Sequence, residues 1–263
     1  MVPHLEDHLH VRTGVSVKLL ECVYLVGSGR FGVSLSSELD CHVYLVDGGE
    51  ELALIDAGAG LATEKMLEYA TAQGFPAHRI RHLLLTHGHA DHAGGTASFR
   101  RSLRDLRVYA HPTVARYLRD GDEQGIGLDV GKRAGTYPSD YALEPAIVDA
   151  EVVDGAQIRV GTLTFQVLET PGHCSGHHAF LMTCEGLRVL FAGDLIFQGG
   201  RILLQNTHDC DLQAYIGSLR RLGGLGVDAL LPGHQLFVLH EGQRHIEAAL
   251  DVLARGGIPP QAL

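Results

Sequence analysis

Short apolar runs with a two-residue alternation and longer runs with a helical spacing follow one another along the chain. In the first half, this pattern predicts strands at 15–26, 41–47, 51–56, 80–86 and 107–110. It predicts helices over 61–73, from Asp91 to about Leu106, and over 112–120. Glycine-containing turns separate the early strands, which is typical of antiparallel pairing.

The second half repeats this order of elements without repeating the residues. Strands are predicted at 157–160, 163–169, 178–183, 187–192 and 227–232, and helices over 211–221 and 241–255. No linker separates the halves, and layered α/β domains of this length are common. We therefore expect residues 1–263 to form one α/β domain, in which two sheets are covered by helices.

One long segment, residues 121–148, loses the periodicity. It is rich in Gly, Asp, Pro and Tyr, which is typical of a long loop or an insertion near a functional site. We expect it to act as a lid. Tyr137, Tyr141, Lys132 and Arg133 are candidates for lining a substrate pocket, although a tyrosine on a loop more often packs its ring onto the protein body.

Composition and charge limit the partners. Apolar residues make up 45% of the chain and charged residues 20%, which is typical of a globular protein. The formal net charge is −10, and two bound divalent cations would still leave it negative. Most of the surface would repel a polyanionic backbone, so we expect a small-molecule substrate and no nucleic acid. The oligomeric state stays open, and a homodimer is possible.

Cysteine usage and hydropathy bear on location. The five cysteines form no CxxC pair and leave an odd one over, so we expect reduced thiols. No apolar run approaches the roughly 18 residues that a membrane helix needs. The N-terminus has neither a basic start nor an apolar signal segment, so we predict a cytoplasmic protein without membrane contact.

The histidines point to chemistry where they cluster. The sequence T-H-G-H-A-D-H-A-G-G at 86–95 follows a predicted buried strand and carries four side chains that can bind metal. Extended residues two apart face the same side, so His87 and His89 can bind one cation. Asp91 and His92 lie where a helix begins and can turn toward a second cation.

Three later strands have the same construction. Each runs into a glycine-containing turn that ends in a possible ligand: His173 in FQVLETPGH, Asp194 in LRVLFAGD and His234 in ALLPGH. Strand ends in α/β layers commonly carry functional groups, and glycine permits a sharp turn beside the ligand. Asp56, at the end of its own strand, is the best candidate for accepting a hydrogen bond from a ligand imidazole. His177 is either a second residue that supports the site or a structural polar residue beside a strand.

Four segments together resemble the metallo-β-lactamase-fold superfamily, and its glyoxalase II-like branch in particular. They are THGHADH (86–92), PGHCSGH (171–177), AGDLIF (192–197) and LPGH (231–234), and the resemblance covers about residues 20–240. It implies a four-layer αββα sandwich. It also implies one cation on His87, His89 and His173, a second on Asp91, His92 and His234, and Asp194 as a bridge between them.

This ligand set indicates a dinuclear hydrolase. It contains no cysteine and suits zinc first, with manganese and iron as alternatives. A hydroxide bridging the two cations is the expected nucleophile on a carbonyl carbon, so no serine or cysteine nucleophile is needed. Asp91 or a bound water would then protonate the leaving group, and Asp194 would hold both cations.

The resemblance leaves the substrate open among esters, thioesters and lactones. Glyoxalase II has a further helical domain after its last ligand, whereas only a short segment follows His234 here. Lactonases of the superfamily have a tyrosine where this chain has Phe197, and its β-lactamases are generally exported and lack the bridging aspartate. A sulfur dioxygenase with one iron on His87, His173 and Asp194 is the first alternative, and a phosphodiesterase or nuclease is the second.

Overall fold

Two β-sheets lie face to face with helices on their outer sides, in a computed structural model that describes residues 16–262. His4, His8 and His10, which the sequence assigns to surface or local roles, lie outside the described residues, as does the first residue of the strand run predicted at 15–26. Within residues 16–262, no helix is both long enough and apolar enough to cross a membrane.

The first sheet contains seven strands in chain order: β1 (Val17–Leu20), β2 (Val23–Gly27), β3 (Val43–Asp47), β4 (Leu52–Ile55), β5 (Ile80–Leu84), β6 (Arg107–Ala110) and β7 (Ala150–Glu151). The first four pair antiparallel, as predicted, and β4 to β7 pair parallel. The run predicted at 15–26 is a hairpin, because the chain turns at Glu21 and Cys22.

The second sheet has the order β12-β11-β10-β9-β8. Its strands are β8 (Gln157–Val160), β9 (Leu163–Glu169), β10 (His178–Cys184), β11 (Leu187–Gly193) and β12 (Ala229–Pro232). They pair antiparallel except for β11 and β12, which are parallel. The carboxyl ends of β9, β11 and β12 lie at the same edge of the molecule as that of β5.

Within residues 16–262, seven α-helices accompany the sheets: α1 (Thr63–Ala72), α2 (Ala90–Ala93), α3 (Thr96–Ser102), α4 (Pro112–Asp120), α5 (Leu128–Arg133), α6 (Leu212–Arg221) and α7 (Gly242–Ala254). The single helix predicted over 91–106 is wrong, because it is broken between α2 and α3. At the break, backbone groups that a continuous helix would pair internally bond instead to the loop after β4. Ala57 N–H donates to the His92 carbonyl at 2.7 Å, and Gly95 N–H donates to the Gly58 carbonyl at 2.8 Å.

Three apolar layers alternate with these elements. Met66, Phe99 and Val114 on α1, α3 and α4 pack against the outer face of the first sheet. Tyr44, Phe165, Phe180 and Phe191 fill the space between the sheets. Tyr215, Leu219 and Ile246 on α6 and α7 cover the outer face of the second sheet. Leu190 on β11 belongs to the same apolar cluster. Neighbouring strand residues such as Leu190 and Phe191 therefore face opposite layers, and the predicted αββα sandwich is confirmed.

A disulfide joins the two sheets, so the expectation of reduced thiols is wrong for Cys22 and Cys184. Cys22 lies in the β1–β2 turn and Cys184 ends β10, with 6.6 Å between their Cα atoms. These cysteines are 162 residues apart and meet only when the sheets pack, so sequence spacing does not reveal the pair. The remaining cysteines, Cys41, Cys174 and Cys210, are unpaired within the described chain.

Residues 121–148 are more ordered than the expected long loop, since they contain the helix α5. Six residues are too few to show a helical period in the sequence. The segment is also fastened to the body: the Ala146 N–H donates to the Leu118 carbonyl at 2.9 Å, and the Tyr141 hydroxyl donates to the Ala59 carbonyl at 2.8 Å.

Candidate metal centre

The seven candidate ligands predicted from the sequence meet at one edge of the sandwich. His87, His89, Asp91 and His92 follow β5 of the first sheet. His173 follows β9, Asp194 follows β11 and His234 follows β12, all in the second sheet. All are buried except Asp91, which is partly exposed toward a cavity. Both sheets therefore contribute to one cluster.

Three imidazoles form one side of the cluster. His89 Nδ1 lies 3.0 Å from His87 Nε2 and 3.0 Å from His173 Nε2. Nitrogen ligands about 2.0–2.1 Å from a tetrahedral zinc ion would be about 3.3 Å apart, close to these separations. The three nitrogens are therefore suitably placed to hold one cation.

The other side combines two imidazoles with two carboxylates. His234 Nε2 lies 3.1 Å from Asp91 Oδ2 and 3.3 Å from His92 Nε2. Asp194 Oδ2 lies 3.4 Å from His234 Nε2 and 3.6 Å from His173 Nε2, so this carboxylate faces both sides. Its other oxygen, Oδ1, is buried without a hydrogen-bond partner among the described residues. A buried carboxylate oxygen of this kind fits a cation, because burial of an unpaired charge is otherwise costly.

Asp56 fixes two of the imidazoles, as the sequence predicts. His92 Nδ1–H donates to Asp56 Oδ2 at 2.8 Å. The Thr86 hydroxyl also donates to that oxygen at 2.8 Å and accepts from His87 Nδ1–H at 3.0 Å. Since the protons lie on Nδ1, His87 and His92 turn the lone pairs of Nε2 toward the cluster.

Backbone groups orient the ligands from the second sheet. His173 Nδ1–H donates to the Leu203 carbonyl at 2.9 Å, which leaves its Nε2 free for the cluster. His177 donates through Nδ1 to the Thr170 hydroxyl at 2.9 Å and accepts the Asp194 N–H at Nε2, at 3.1 Å. Of the two roles that the sequence leaves open for His177, the structure supports that of holding the site.

The ionisable groups of the cluster divide into two sets. Burial and the neighbouring imidazoles hold the pKa of His87 well below its usual range, and burial lowers the pKa of His89 to about 4. Burial also lowers the pKa of His234, but nearby carboxylates outweigh it and raise the pKa to about 9. Burial alone would raise the pKa of Asp194, but adjacent imidazoles hold it well below its usual range. At neutral pH, His87 and His89 are therefore neutral imidazoles, whereas His234 is protonated beside the ionised Asp194. A cation bound on that side would replace the proton, and imidazoles with carboxylates are the donors that borderline and hard cations prefer.

Two thiols lie close to the cluster. Cys174 can approach the three imidazoles, and Cys41 lies with Asp56 and His92. Burial raises the pKa of both thiols, so they are protonated at neutral pH and are poor metal ligands. This agrees with a space-filling role for Cys174, which the sequence favours.

Gly233 explains why a glycine precedes the last ligand. A Cβ atom at this position would lie 2.4 Å from Asp194 Oδ1 and 2.5 Å from His92 Cε1. The backbone of the LPGH turn thus passes too close to the cluster for any side chain. This close approach allows His234 to reach Asp91 from the second sheet.

A cavity of about 380 Å³ opens onto the cluster at His89, Asp91, Asp194 and His234. Residues of the insertion form one wall, and Leu203, Gln205, Asn206 and Thr207 form another. Phe31 contributes from the loop after β2. Phe31 and Leu203 were not predicted from the sequence, since neither side chain can bind a metal. Leu203 acts through its backbone carbonyl, which every residue type has.

The two tyrosines of the insertion have different positions. Tyr137 lines the cavity, and its hydroxyl donates to Asp91 Oδ1 at 2.8 Å while it accepts the Asp91 N–H at 3.2 Å. Tyr141 packs onto the body instead. Lys132 and Arg133, the other candidates for pocket contact, pair with Glu123 at 2.6 Å and Asp129 at 2.7 Å and do not line the cavity.

The fold and the cluster agree with the family comparison. The family model described as Metallo-beta-lactamase superfamily matches residues 37–234, which include all seven candidate ligands. The chain belongs to the metallo-beta-lactamase superfamily.

Curated relatives place the chain near the thioesterase and glyoxalase II members. An atrochrysone carboxyl ACP thioesterase of Aspergillus fumigatus is 30% identical over 80% of this chain and 55% of its own length. A hydroxyacylglutathione hydrolase of Anaeromyxobacter dehalogenans is 32% identical over 74% of this chain and 61% of its own length. The resemblance to the glyoxalase II-like branch is confirmed, and the chain spans little more than half the length of such relatives.

Solved structures agree on the fold. BJP-1, a subclass B3 metallo-beta-lactamase of Bradyrhizobium japonicum, superimposes with a TM-score of 0.69 over 92% of this chain and 91% of that one. The sequence identity is 20%, so the likeness concerns the fold alone.

Proposed function

We propose that the protein is a dinuclear metal-dependent hydrolase of a small-molecule thioester, with esters and lactones as chemically related substrates. The observation that carries the proposal is the convergence of seven donor side chains at the junction of the two sheets, with imidazole tautomers fixed by Asp56, Thr86 and Leu203. The thioesterase and hydroxyacylglutathione hydrolase among the relatives support the thioester class.

The proposed ligands divide between two cations, zinc first. His87 Nε2, His89 Nδ1 and His173 Nε2 would hold one, and Asp91 Oδ2, His92 Nε2 and His234 Nε2 would hold the other, with Asp194 shared. When bound, divalent cations polarise a carbonyl oxygen and lower the pKa of water toward neutrality. The protein's own contribution is to orient the donor atoms through hydrogen bonds and to keep the site partly closed to solvent.

Proton transfer favours a thioester over an oxygen ester. Burial alone would raise the pKa of Asp91, but His92 and His234 hold it well below its usual range, so Asp91 is an ionised carboxylate with no proton to give to a leaving group. A thiol with a pKa of about 8.5 leaves as a thiolate without prior protonation, whereas an alkoxide requires a proton donor. Hydrolysis then breaks the acyl carbon–sulfur bond and yields a carboxylate and a thiol.

The test combines metal content with turnover. We expect about two zinc or manganese ions per chain by elemental analysis, and release of thiol from small thioesters by the loaded protein. One iron per chain with oxygen uptake on a persulfide would replace the proposal with the dioxygenase. Cleavage of a phosphodiester without thioesterase activity would replace it with the phosphodiesterase or nuclease.

Two variants test the assigned site. We expect His87→Ala and Asp194→Asn to lower kcat by about a thousand-fold, because each loses a donor that organises the electrophilic centre. Circular dichroism should show that the fold is kept. Asp120→Asn, at an exposed carboxylate beside Arg119, is the matched control and should leave turnover unchanged. Full activity in either site variant would exclude the proposed ligands.

The remaining features of the sequence interpretation stay predictions. These are a single domain, a cytoplasmic location, a small-molecule partner without nucleic acid, and a possible homodimer. The formal charge of −10 and the cavity of about 380 Å³ support only the small-molecule partner.

A further inference from the structure

The cavity above the candidate metal centre has mainly apolar walls, to which Thr136, Tyr137, Gln205, Asn206 and Thr207 add uncharged polar groups. Its walls carry Phe31, Ile126, Leu128, Val130 and Leu203, and the charged groups that line it belong to the metal cluster. Among residues 16–262, the lining includes neither lysine nor arginine. An anionic group bound there would lose its hydration without gaining a cationic partner, which is costly.

The nearest lysine and arginine side chains do not line the cavity. Lys132 and Arg133 on α5 pair with Glu123 and Asp129. The Arg30 guanidinium stacks on the Phe31 ring, 4.8 Å from its centroid, and donates to the Thr136 carbonyl at 3.5 Å, so it lies at the rim of the cavity. The two faces of α5 thus differ, since Leu128 and Val130 face the cavity while the two paired cations do not line it.

The size of the cavity limits what enters. Its volume of about 380 Å³ is near the lower end of the range of about 300–1,000 Å³ for small-molecule sites. The lining also contains Gly127, Gly131 and Ala134, so small residues of the insertion leave room beside the apolar ones. This space suits a short acyl chain or a single ring that extends from the cluster along α5.

We propose that this cavity selects an uncharged, apolar acyl group, and that Val130 on α5 helps to determine that specificity. The inference rests on the proposed thioesterase function and names its acyl class. The acyl group lies along α5 with its carbonyl at the cluster, and the thiol part of the substrate extends toward the cavity opening near Phe31.

The experiment compares hexanoyl and glutaryl thioesters of N-acetylcysteamine, two acyl groups of similar size of which only the second is anionic. We expect kcat/KM for the hexanoyl thioester to exceed that for the glutaryl thioester by at least about ten-fold, because the carboxylate is desolvated among mainly apolar walls without a lysine or arginine partner. Calorimetric binding of the matching thioether analogues, in which a methylene separates sulfur from the carbonyl, should show the same order.

The variant Val130→Lys replaces an apolar side chain of the cavity wall by a cationic one. We expect it to bring the two kcat/KM values within about two-fold of each other or to reverse them, because an ammonium group would then face the acyl chain. Ile147→Lys makes the same change in charge at an exposed position of the same insertion, outside the cavity lining, and should keep the wild-type preference.

The two proposals fail in different ways. If neither thioester is hydrolysed by metal-loaded protein but the hexanoyl analogue binds more tightly, the thioesterase proposal is wrong and the apolar acyl site stands. If both thioesters are hydrolysed with equal kcat/KM, or Val130→Lys keeps the wild-type ratio, the acyl-site proposal is wrong and the hydrolase stands.

Discussion

The carboxylate of Asp56 determines how two imidazoles face the cluster. It accepts hydrogen bonds from His92 and Thr86 at one oxygen and from the Thr86 N–H at the other, at 2.7 Å. Its φ of 61° lies in the left-handed region, which asparagine also adopts readily, so Asp56→Asn preserves the backbone. The amide replaces one accepting oxygen by a donor, and the tautomers of His87 and His92 are then no longer fixed.

We expect Asp56→Asn to weaken zinc affinity by about 10–100-fold, the usual effect of removing a partner of a ligand imidazole. Competition with a fluorescent zinc chelator measures it. Asp47→Asn, which removes a carboxylate paired with Arg79 at the end of β3, is the control and should bind zinc as the wild type does. An unchanged zinc affinity in Asp56→Asn would show that the hydrogen bonds of the Asp56 carboxylate are not needed to orient the imidazoles.

Tyr137 acts on Asp91 in a similar way but from the insertion. Tyr137→Phe keeps the ring and removes the hydroxyl that donates to Asp91 Oδ1. We expect affinity for the second zinc ion to fall by about ten-fold, while the first ion binds normally. Tyr141→Phe is the control, because its hydroxyl donates to a carbonyl away from the cluster. Each variant removes one hydroxyl that donates a hydrogen bond, so each should lose about 1 kcal/mol of unfolding free energy. Only Tyr137→Phe should change the second step of a zinc titration.

Much of the site was predictable at this scale because the candidate ligands follow strands, and all of them except Asp91 and His92 adjoin a glycine. Asp56 was predictable because it lies at the end of its own strand. Phe31 was not, since an exposed aromatic residue on a loop has no partner in the sequence. The contact of Tyr137 was also uncertain, because only the folded insertion shows which of its two tyrosines faces Asp91.

The turn after β9, which packs against α6, depends on Gly172. Its φ is 134°, and a Cβ atom there would lie 2.3 Å from Tyr215 Cα on α6. The clash is with backbone, so the turn that presents His173 has to move as a unit. Asp211, which caps α6, is also bonded here, because its N–H donates to the Gly172 carbonyl at 2.9 Å.

We therefore expect Gly172→Ala to lower the unfolding free energy by about 2–4 kcal/mol, through overpacking and an unfavourable φ, and to reduce zinc binding at the three-histidine side. Gly186→Ala is the matched control. Its φ is also positive, at 80°, but a Cβ atom there meets nothing within 4 Å. It should cost about 1 kcal/mol in urea unfolding and leave zinc binding intact. Equal losses in the two variants would contradict the clash with α6.

Long elements with a clear period were predictable, and short or interrupted ones were not. Strands such as β9 and β11 and the helix α7 follow directly from the apolar spacing. The helix α5 has six residues, and the break between α2 and α3 arises from hydrogen bonds to the loop after β4. These features depend on tertiary contacts, which residue periodicity does not record.

At the scale of the whole molecule, the Cys22–Cys184 disulfide links the two sheets at the end opposite the cluster. β2 and β11 both begin near this disulfide and run toward the site. We expect the double variant Cys22→Ser/Cys184→Ser to lose about 2–5 kcal/mol of unfolding free energy, because the bond closes a long loop in the unfolded chain. Denaturant unfolding of oxidised and variant protein measures this. Turnover of the folded variant should stay within about two-fold of wild type, and a larger loss would show that the far end affects the site.

The cluster draws its side chains from both sheets, so neither half of the chain can assemble it alone. If the proposed cations bind there, they bind only after the sheets have met, and their binding free energy becomes folding free energy. A free cation concentration one hundred times the dissociation constant would add about 2.7 kcal/mol. The lifetime of the protein against proteases would then follow the supply of metal, because a chain made during metal shortage would hold its sheets together less firmly.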